Sequence, residues 1–194
     1  MQVSSGVYKI TLSGDLLFFA RQEYLKSLKI DDLAENLELS EEDLEDLTDA
    51  SLSFACESKA VNYLARAEQN YFNLSVKLQK KGFQKQYINA ALDYLKSIDY
   101  LSDYRFSRSY LSSRKISMFE SRSKLMFNLQ SKGISKEDAN KALNEFFEEN
   151  SEEELCKKDF EKQKRLKKSD EKIIKTLLTH GFSYQLIKKV LKED

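Results

Sequence analysis

The sequence predicts a mainly α protein: tandem three-helix repeats (three units) in an elongated array, with a small N-terminal β-hairpin/helix extension. Three observations carry this. Proline is absent from the 194 residues and glycine occurs only 5 times, so the residues that punctuate loops are scarce and long helices with short turns are favoured. Three glycines, Gly82, Gly133 and Gly181, sit in matching apolar surroundings. Only the N-terminal segment has the β-branched and aromatic runs expected of strands.

That segment comes first. Val7-Tyr-Lys-Ile-Thr-Leu12 and Asp15-Leu-Leu-Phe-Phe-Ala20 flank Ser13-Gly14, and a short link between such runs predicts a β-hairpin. Leu25, Leu28, Leu33 and Leu37 then suggest helix. Ser40-Glu-Glu-Asp43 has the form of a capping box and opens a short helix through Leu44 and Leu47. A lone hairpin is marginal in water, so residues 1–48 are expected to form a small acidic module packed on the helices that follow.

From about residue 52 the chain repeats. Four residues before each glycine stands Leu78, Leu129 or Leu177, and eight before stands Leu74, Leu125 or Ile173. Phe83, Ile134 or Phe182 follows directly; Ile88, Ala139 or Ile187 comes six after, and Leu92, Leu143 or Leu191 ten after. Apolar residues four apart and then a glycine describe a helix buried on one face and ended by a left-handed residue. A second helix follows, opened in the middle copy by Ser135-Lys-Glu-Asp138. A third helix fills each interval, at about 52–68, 102–115 and 151–166, the last with a capping box at Ser151-Glu-Glu-Glu154. The expected units are 52–101, 102–150 and 151–194. Their spacing of about fifty residues differs from the tetratricopeptide and HEAT/armadillo periods, and each unit leaves an apolar face that docking in series would cover.

Net charge is zero but segregated. Residues 1–60 hold 5 basic and 13 acidic side chains, and residues 61–194 hold 27 and 19. Arg105, Arg108, Ser112 and Lys115 are spaced to share one helix face, with Phe106 and Tyr110 on the core side. Lys158, Lys162, Arg165 and Lys168 run down another helix whose Cys156 and Phe160 face inward; Arg122 and Lys124 add to the middle unit, and Lys77, Lys80 and Lys81 to the first. Basic faces recurring at repeat spacing suit a polyanion or an acidic groove, whereas a single such stripe is equally a solvated face. Aromatic side chains can stack on single-stranded bases, but Tyr104, Tyr110 and Tyr184 fall at positions expected in the core.

Catalytic chemistry is not expected. The one histidine, His180, precedes Gly181 at a helix end, where a cation suits the dipole, and cannot supply a multi-histidine metal site. Gly-rich phosphate loops, nucleophile elbows and Cys-x-x-Cys pairs are missing, so neither cofactor nor metal is expected. Cys56 and Cys156 read as half-buried small apolar side chains. No apolar run reaches the ~18 residues of a membrane span, and the N-terminus lacks a signal-peptide pattern, so a cytoplasmic protein with no membrane contact is expected.

The segment Leu101-Ser-Asp-Tyr-Arg-Phe-Ser-Arg-Ser-Tyr110-Leu-Ser-Ser-Arg114 resembles the Leu-x-Asp-x-Arg-Phe-Ala…Tyr…Arg motif of the bacterial RecX family. Lys77-Leu-Gln-Lys-Lys-Gly-Phe83, Leu129-Gln-Ser-Lys-Gly-Ile134 and Gly181-Phe-Ser-Tyr-Gln-Leu-Ile187 resemble its other segments, so the likeness runs from about residue 52 to the C-terminus. Arg66-Ala-Glu-Gln-Asn-Tyr-Phe-Asn-Leu74 departs from it, lacking the basic residues expected near 67 and 69, although Asn70 can still cap its helix. The family's usual glycine is also missing from Lys115-Ile-Ser-Met-Phe-Glu120. The resemblance implies a regulator, acting as a monomer, that binds the RecA recombinase filament on single-stranded DNA, lies in its groove, and restrains its ATPase and strand exchange. DNA would be met directly or through the filament. Arg105, Arg108, Arg114, Lys115, Arg122, Lys124, Lys162, Arg165 and Lys168 are the expected contacts, through electrostatic docking. A helical repeat protein that binds DNA independently of RecA, or a scaffold for another protein, would share the same charge pattern.

Overall fold

Helices build most of the protein, and three of them, with apolar residues at helical spacing, are closed by a glycine. The computed structural model describes residues 2–4, 6–13, 16–33 and 37–192. Among them are three strands and nine α-helices: β1 (Gln2–Ser4), β2 (Val7–Thr11), β3 (Leu17–Ala20), α1 (Glu41–Leu64), α2 (Tyr71–Gln79), α3 (Lys85–Ser97), α4 (Asp103–Ser117), α5 (Arg122–Gln130), α6 (Lys136–Glu149), α7 (Glu152–Arg165), α8 (Asp170–Thr179) and α9 (Tyr184–Lys192). The protein is therefore mainly α with a small N-terminal sheet, as the sequence predicts. The described chain divides into two compact units, Met1–Ser102 and Asp103–Asp194.

In the first unit the expected hairpin is β2–β3, antiparallel with Tyr8 opposite Ala20 and Thr11 opposite Leu17; β1 joins as a third strand beside β2. Gly14 of the expected link and Asp15 at the start of the second run lie outside the described residues. Among the described residues of the Leu25 to Leu37 stretch, which leave out 34–36, the suggested helix is not formed: 3₁₀ turns stand at Gln22–Tyr24 and Ile30–Asp32. The cause is a competing use of its amides. Lys26, Ser27 and Leu28 donate their backbone N–H groups to the buried Asp46 carboxylate at 2.9–3.1 Å, which holds the chain in a loop against α1. Burial alone would push the Asp46 carboxyl up, but the donors from Ser27, Lys26 and Leu28 outweigh it and hold it below the ordinary value.

Ser40 and Asp43 form the predicted reciprocal capping box, yet the helix they open does not stop near Leu47. It runs unbroken to Leu64, so the boundary expected between 48 and 52 falls inside α1. A buried cluster fastens β3 to it. Arg21 donates to both Glu57 carboxylate oxygens at 2.7 and 2.8 Å, the Tyr24 hydroxyl donates to the same carboxylate at 2.7 Å, and the guanidinium lies 4.8 Å over the Tyr94 ring. Burial and the adjoining carboxylate both raise the Tyr24 pKa, so the phenol stays neutral. Beneath, Cys56, Ala60, Leu74, Leu78, Ile88, Leu92 and Leu95 make the core between α1, α2 and α3.

The second unit has two cores. Leu111, Leu125, Leu129, Ile134, Ala139 and Leu143 fill the space among α4, α5 and α6, with Phe106 and Tyr110 stacked at 6.3 Å along its edge. Leu155, Cys156, Phe160, Ile173, Leu177, Phe182 and Ile187 fill that among α7, α8 and α9. Both cysteines are fully buried rather than half-buried, and burial pushes each thiol up to about 12, so neither forms a thiolate at neutral pH. The capping box expected at Ser151 is not made, because its side chain accepts no amide; α7 relies instead on Glu152, Glu153 and Glu154 facing the positive end of the helix.

The three aligned glycines end their helices in the same way. Gly82, Gly133 and Gly181 have φ of +91°, +79° and +91°, and the next residue's N–H reaches back to the carbonyl of Leu78, Leu129 or Leu177. This is the left-handed helix stop read from the sequence. Surroundings differ. A methyl group on Gly82 would meet nothing within 4 Å, whereas one on Gly181 would lie 2.4 Å from Ser121 Oγ and 2.8 Å from Lys124 Cβ. The α8–α9 turn is thus pressed onto the start of α5, where the Ser121 N–H also donates to the His180 carbonyl at 3.0 Å.

Candidate interaction surface

The nine basic residues expected as contacts all fall in the second unit, and the structure separates them by how tightly each is held. On α4, Arg108 and Lys115 are exposed and Arg105 is partly so, which places them with Ser112 on the face away from the core. The Arg108 guanidinium stands 3.3 Å from Glu145 on α6, with 61% of its side-chain surface open to solvent. Tyr104, one turn earlier, donates its hydroxyl to the other Glu145 oxygen, and that bond raises its pKa. Lys141 lies 4.3 Å over the Tyr104 ring from the same helix.

Arg114 differs. It pairs at 3.0 Å with Glu120, a carboxylate only 2% exposed, while its guanidinium also reaches Met118 and lies over the Tyr110 ring. Asn128 donates to Glu120 as well. A buried charge cannot lose its partner cheaply, so Arg114 is a fastener of the α4–α5 connection. Arg122 is likewise turned inward, donating to the Leu143 carbonyl and to Asn144 Oδ1 on α6 and lying over Phe147. Lys124 is partly buried beneath the Gly181 turn, its amine 5.8 Å from the Phe127 ring.

On α7, Lys158, Lys162 and Arg165 are exposed along one side while Cys156 and Phe160 face the core, as their spacing predicts. Lys168 does not continue that stripe. The helix ends at Arg165, Lys167 adopts φ +53°, and the Lys168 amine folds back to Gln163 Oε1 at 2.7 Å. Gln163 donates to the buried Asp159, whose second oxygen accepts from His180 Nδ1 at 2.5 Å. His180 is thus a helix-end residue that ties α8 to α7. Tyr184, expected in the core, is 52% exposed: it is the first residue of α9, with Lys188 over its ring.

Sequence spacing missed the residues that decide this sorting. Glu145 lies 37 positions from Arg108, and Asn144 lies 22 from Arg122, so no local pattern could pair them. The acidic stretch from Glu145 to Glu154 was the sole trace in the sequence, since its first member sits against the basic face. Among the described residues no group of histidine, cysteine and carboxylate side chains could hold a metal ion, and no helix is long and apolar enough to cross a membrane.

No protein-family model matches the sequence. Regulatory protein RecX of Treponema pallidum is 35% identical over 146 residues, which covers 73% of this chain and 89% of that protein. This chain belongs to the RecX family. The RecX of Clostridioides difficile is 29% identical over 161 residues, or 80% of this chain and 76% of that one. A crystal structure of regulatory protein RecX shares the fold over 100% of this chain and 96% of its own, with TM-score 0.77 at 22% identity. The RecX of Lactobacillus salivarius gives TM-score 0.61 at 25% identity over 74% of this chain and 97% of that one. These relatives are named regulatory proteins, not enzymes. The segment that carried the RecX resemblance in sequence is α4 with its approach: Leu101 is buried, Phe106 stacks on Tyr110, and Arg105 and Arg108 lie on the outer face.

Proposed function

We propose that this protein binds the RecA filament on single-stranded DNA and restrains its ATPase and strand exchange, acting as a cytoplasmic monomer without cofactor or metal. Membership of the RecX family carries the reading, since the relative at 35% identity is aligned over 89% of its length. The surface supports it. Arg105, Arg108 and Lys115 on α4, with Lys162 and Arg165 on α7, stand on helix faces turned from the cores, where charge can act on a polyanion or an acidic groove. Arg114, Arg122, Lys124 and Lys168 have internal partners and would contribute by holding those faces in shape. In this reading the chain is an acidic N-terminal module followed by three three-helix units, the first opening within α1.

The test is a titration of this protein into RecA turning over ATP on single-stranded DNA. We expect ATP hydrolysis and strand exchange to fall at or below stoichiometric amounts. Unchanged hydrolysis, together with binding to bare DNA that falls steeply with salt and ignores RecA, would instead identify a direct DNA-binding protein. Neither effect would leave a scaffold for some other partner.

A further inference from the structure

Arg108 stands at the centre of the exposed α4 face, and its nearest anion belongs to the protein itself. Glu145 reaches from α6 to place one carboxylate oxygen 3.3 Å from the Arg108 Nε and the other on the Tyr104 hydroxyl. Lys141 and Arg108 both lie over the Tyr104 ring, at 4.3 and 5.8 Å. A guanidinium and a phenol thus meet on one carboxylate, with an ammonium over the phenol's ring. This is the donor set that would hold a phosphate oxygen.

The pair is open to water on both sides, with Arg108 61% and Glu145 41% exposed, and exposed pairs of this kind are held weakly. The contrast with Arg114 is sharp, for its partner Glu120 is 2% exposed and cannot be given up. Of these two arginines on α4, then, one has an exchangeable internal anion and one does not. Arg105, Arg108, Ser112 and Lys115 recur every three or four residues along a helix rising ~1.5 Å per residue, so their Cα positions step by about 5 Å. Such a row matches a linear run of charges better than a single carboxylate.

We propose that Glu145 is a built-in competitor that occupies a phosphate subsite made by Tyr104 and Arg108, and that the phosphodiester backbone of single-stranded DNA displaces it when the α4 face docks. Glu145 therefore sets how tightly this face holds the strand. The inference rests on the reading of α4 as a contact surface, and the variants below separate the two.

Binding is measured by fluorescence anisotropy with a labelled oligothymidylate, bare and coated with RecA, at several salt concentrations. Glu145→Gln keeps an acceptor for the Tyr104 hydroxyl and removes the charge, so the fold is retained. We expect about threefold to fivefold tighter binding at low salt and a log–log salt slope steeper by about 0.7, the increment for one further phosphate on a single strand. Arg108→Gln weakens binding, and the double variant behaves as Arg108→Gln alone, because without the guanidinium there is nothing to release. If Arg108→Gln weakens binding while Glu145→Gln leaves affinity and slope unchanged, the competitor role is wrong. If Glu145→Gln tightens binding only to the RecA-coated strand, the displacing group is not phosphodiester. If Arg108→Gln binds as wild type does, α4 is not the contact surface and the reading beneath the inference fails with it.

Discussion

In the first unit the buried carboxylates take their donors from the N-terminal segment. Glu57 takes two bonds from Arg21 and one from Tyr24, Asp46 takes the amides of three successive residues, and together they bind a sheet and a loop to α1. In the second unit the charges sort by depth. Glu120 and Asp159 are buried beneath the partly exposed Arg114 and His180, while Arg108, Lys158 and Arg165 remain on the outside. Residues 1–102 hold 11 basic and 16 acidic side chains, and residues 103–194 hold 21 and 16. The two units share one turn chemistry and one style of core, so the fold does not set this difference. Buried polar side chains serve attachment in both units, and the second adds exposed basic faces on α4 and α7.

The largest expected effect tests the attachment side. Glu57→Ala strands Arg21, whose side chain is only 14% exposed, and should cost about 3–5 kcal/mol in urea unfolding. The α4 face of the folded fraction should bind as before. Next come the two glycine turns. Gly181→Ala must adopt an unfavourable φ and push into Ser121 and Lys124, at a cost of about 3 kcal/mol, while Gly82→Ala has the same φ in open space and should cost about 1 kcal/mol. Equal losses in the two variants would show that the Gly181 contact is not tight.

A smaller effect concerns acid. The folded Asp46 carboxyl lies below its ordinary value because amide donors overcome its burial. Its stabilising contribution is therefore complete above about pH 4, the unfolded value, and is lost as pH falls through the lower folded value. Asp46→Asn should flatten the acid limb of stability, measured by urea midpoints between pH 2 and 5. An unchanged limb would mean that the amides of Lys26, Ser27 and Leu28 do not hold the carboxylate.

Much of this was legible in the sequence, and the reason is local. Helix stops at Gly82, Gly133 and Gly181 depend on a few neighbouring residues, as does the cap at Ser40, and each is found where the pattern places it. Leu25 to Leu37 misled because the leucine spacing competes with a carboxylate eighteen or more residues away. Ser151 has the letters of a capping box without its hydrogen bond, and Tyr184 has a core position's register but is exposed as the first residue of its helix. The basic residues were visible as a set. What divides them is the identity of their partners, Glu120 for Arg114, Asn144 for Arg122 and Glu145 for Arg108, and two of these three lie on another helix.

The central claim is that the exposed face of α4 acts on a RecA filament. It is tested most directly by Arg105→Glu/Arg108→Glu, titrated beside the wild type into RecA hydrolysing ATP on single-stranded DNA. We expect the double variant to keep its helical circular dichroism and to lose most of its restraint of hydrolysis at concentrations where the wild type acts. A double variant that restrains RecA as strongly as the wild type would contradict it.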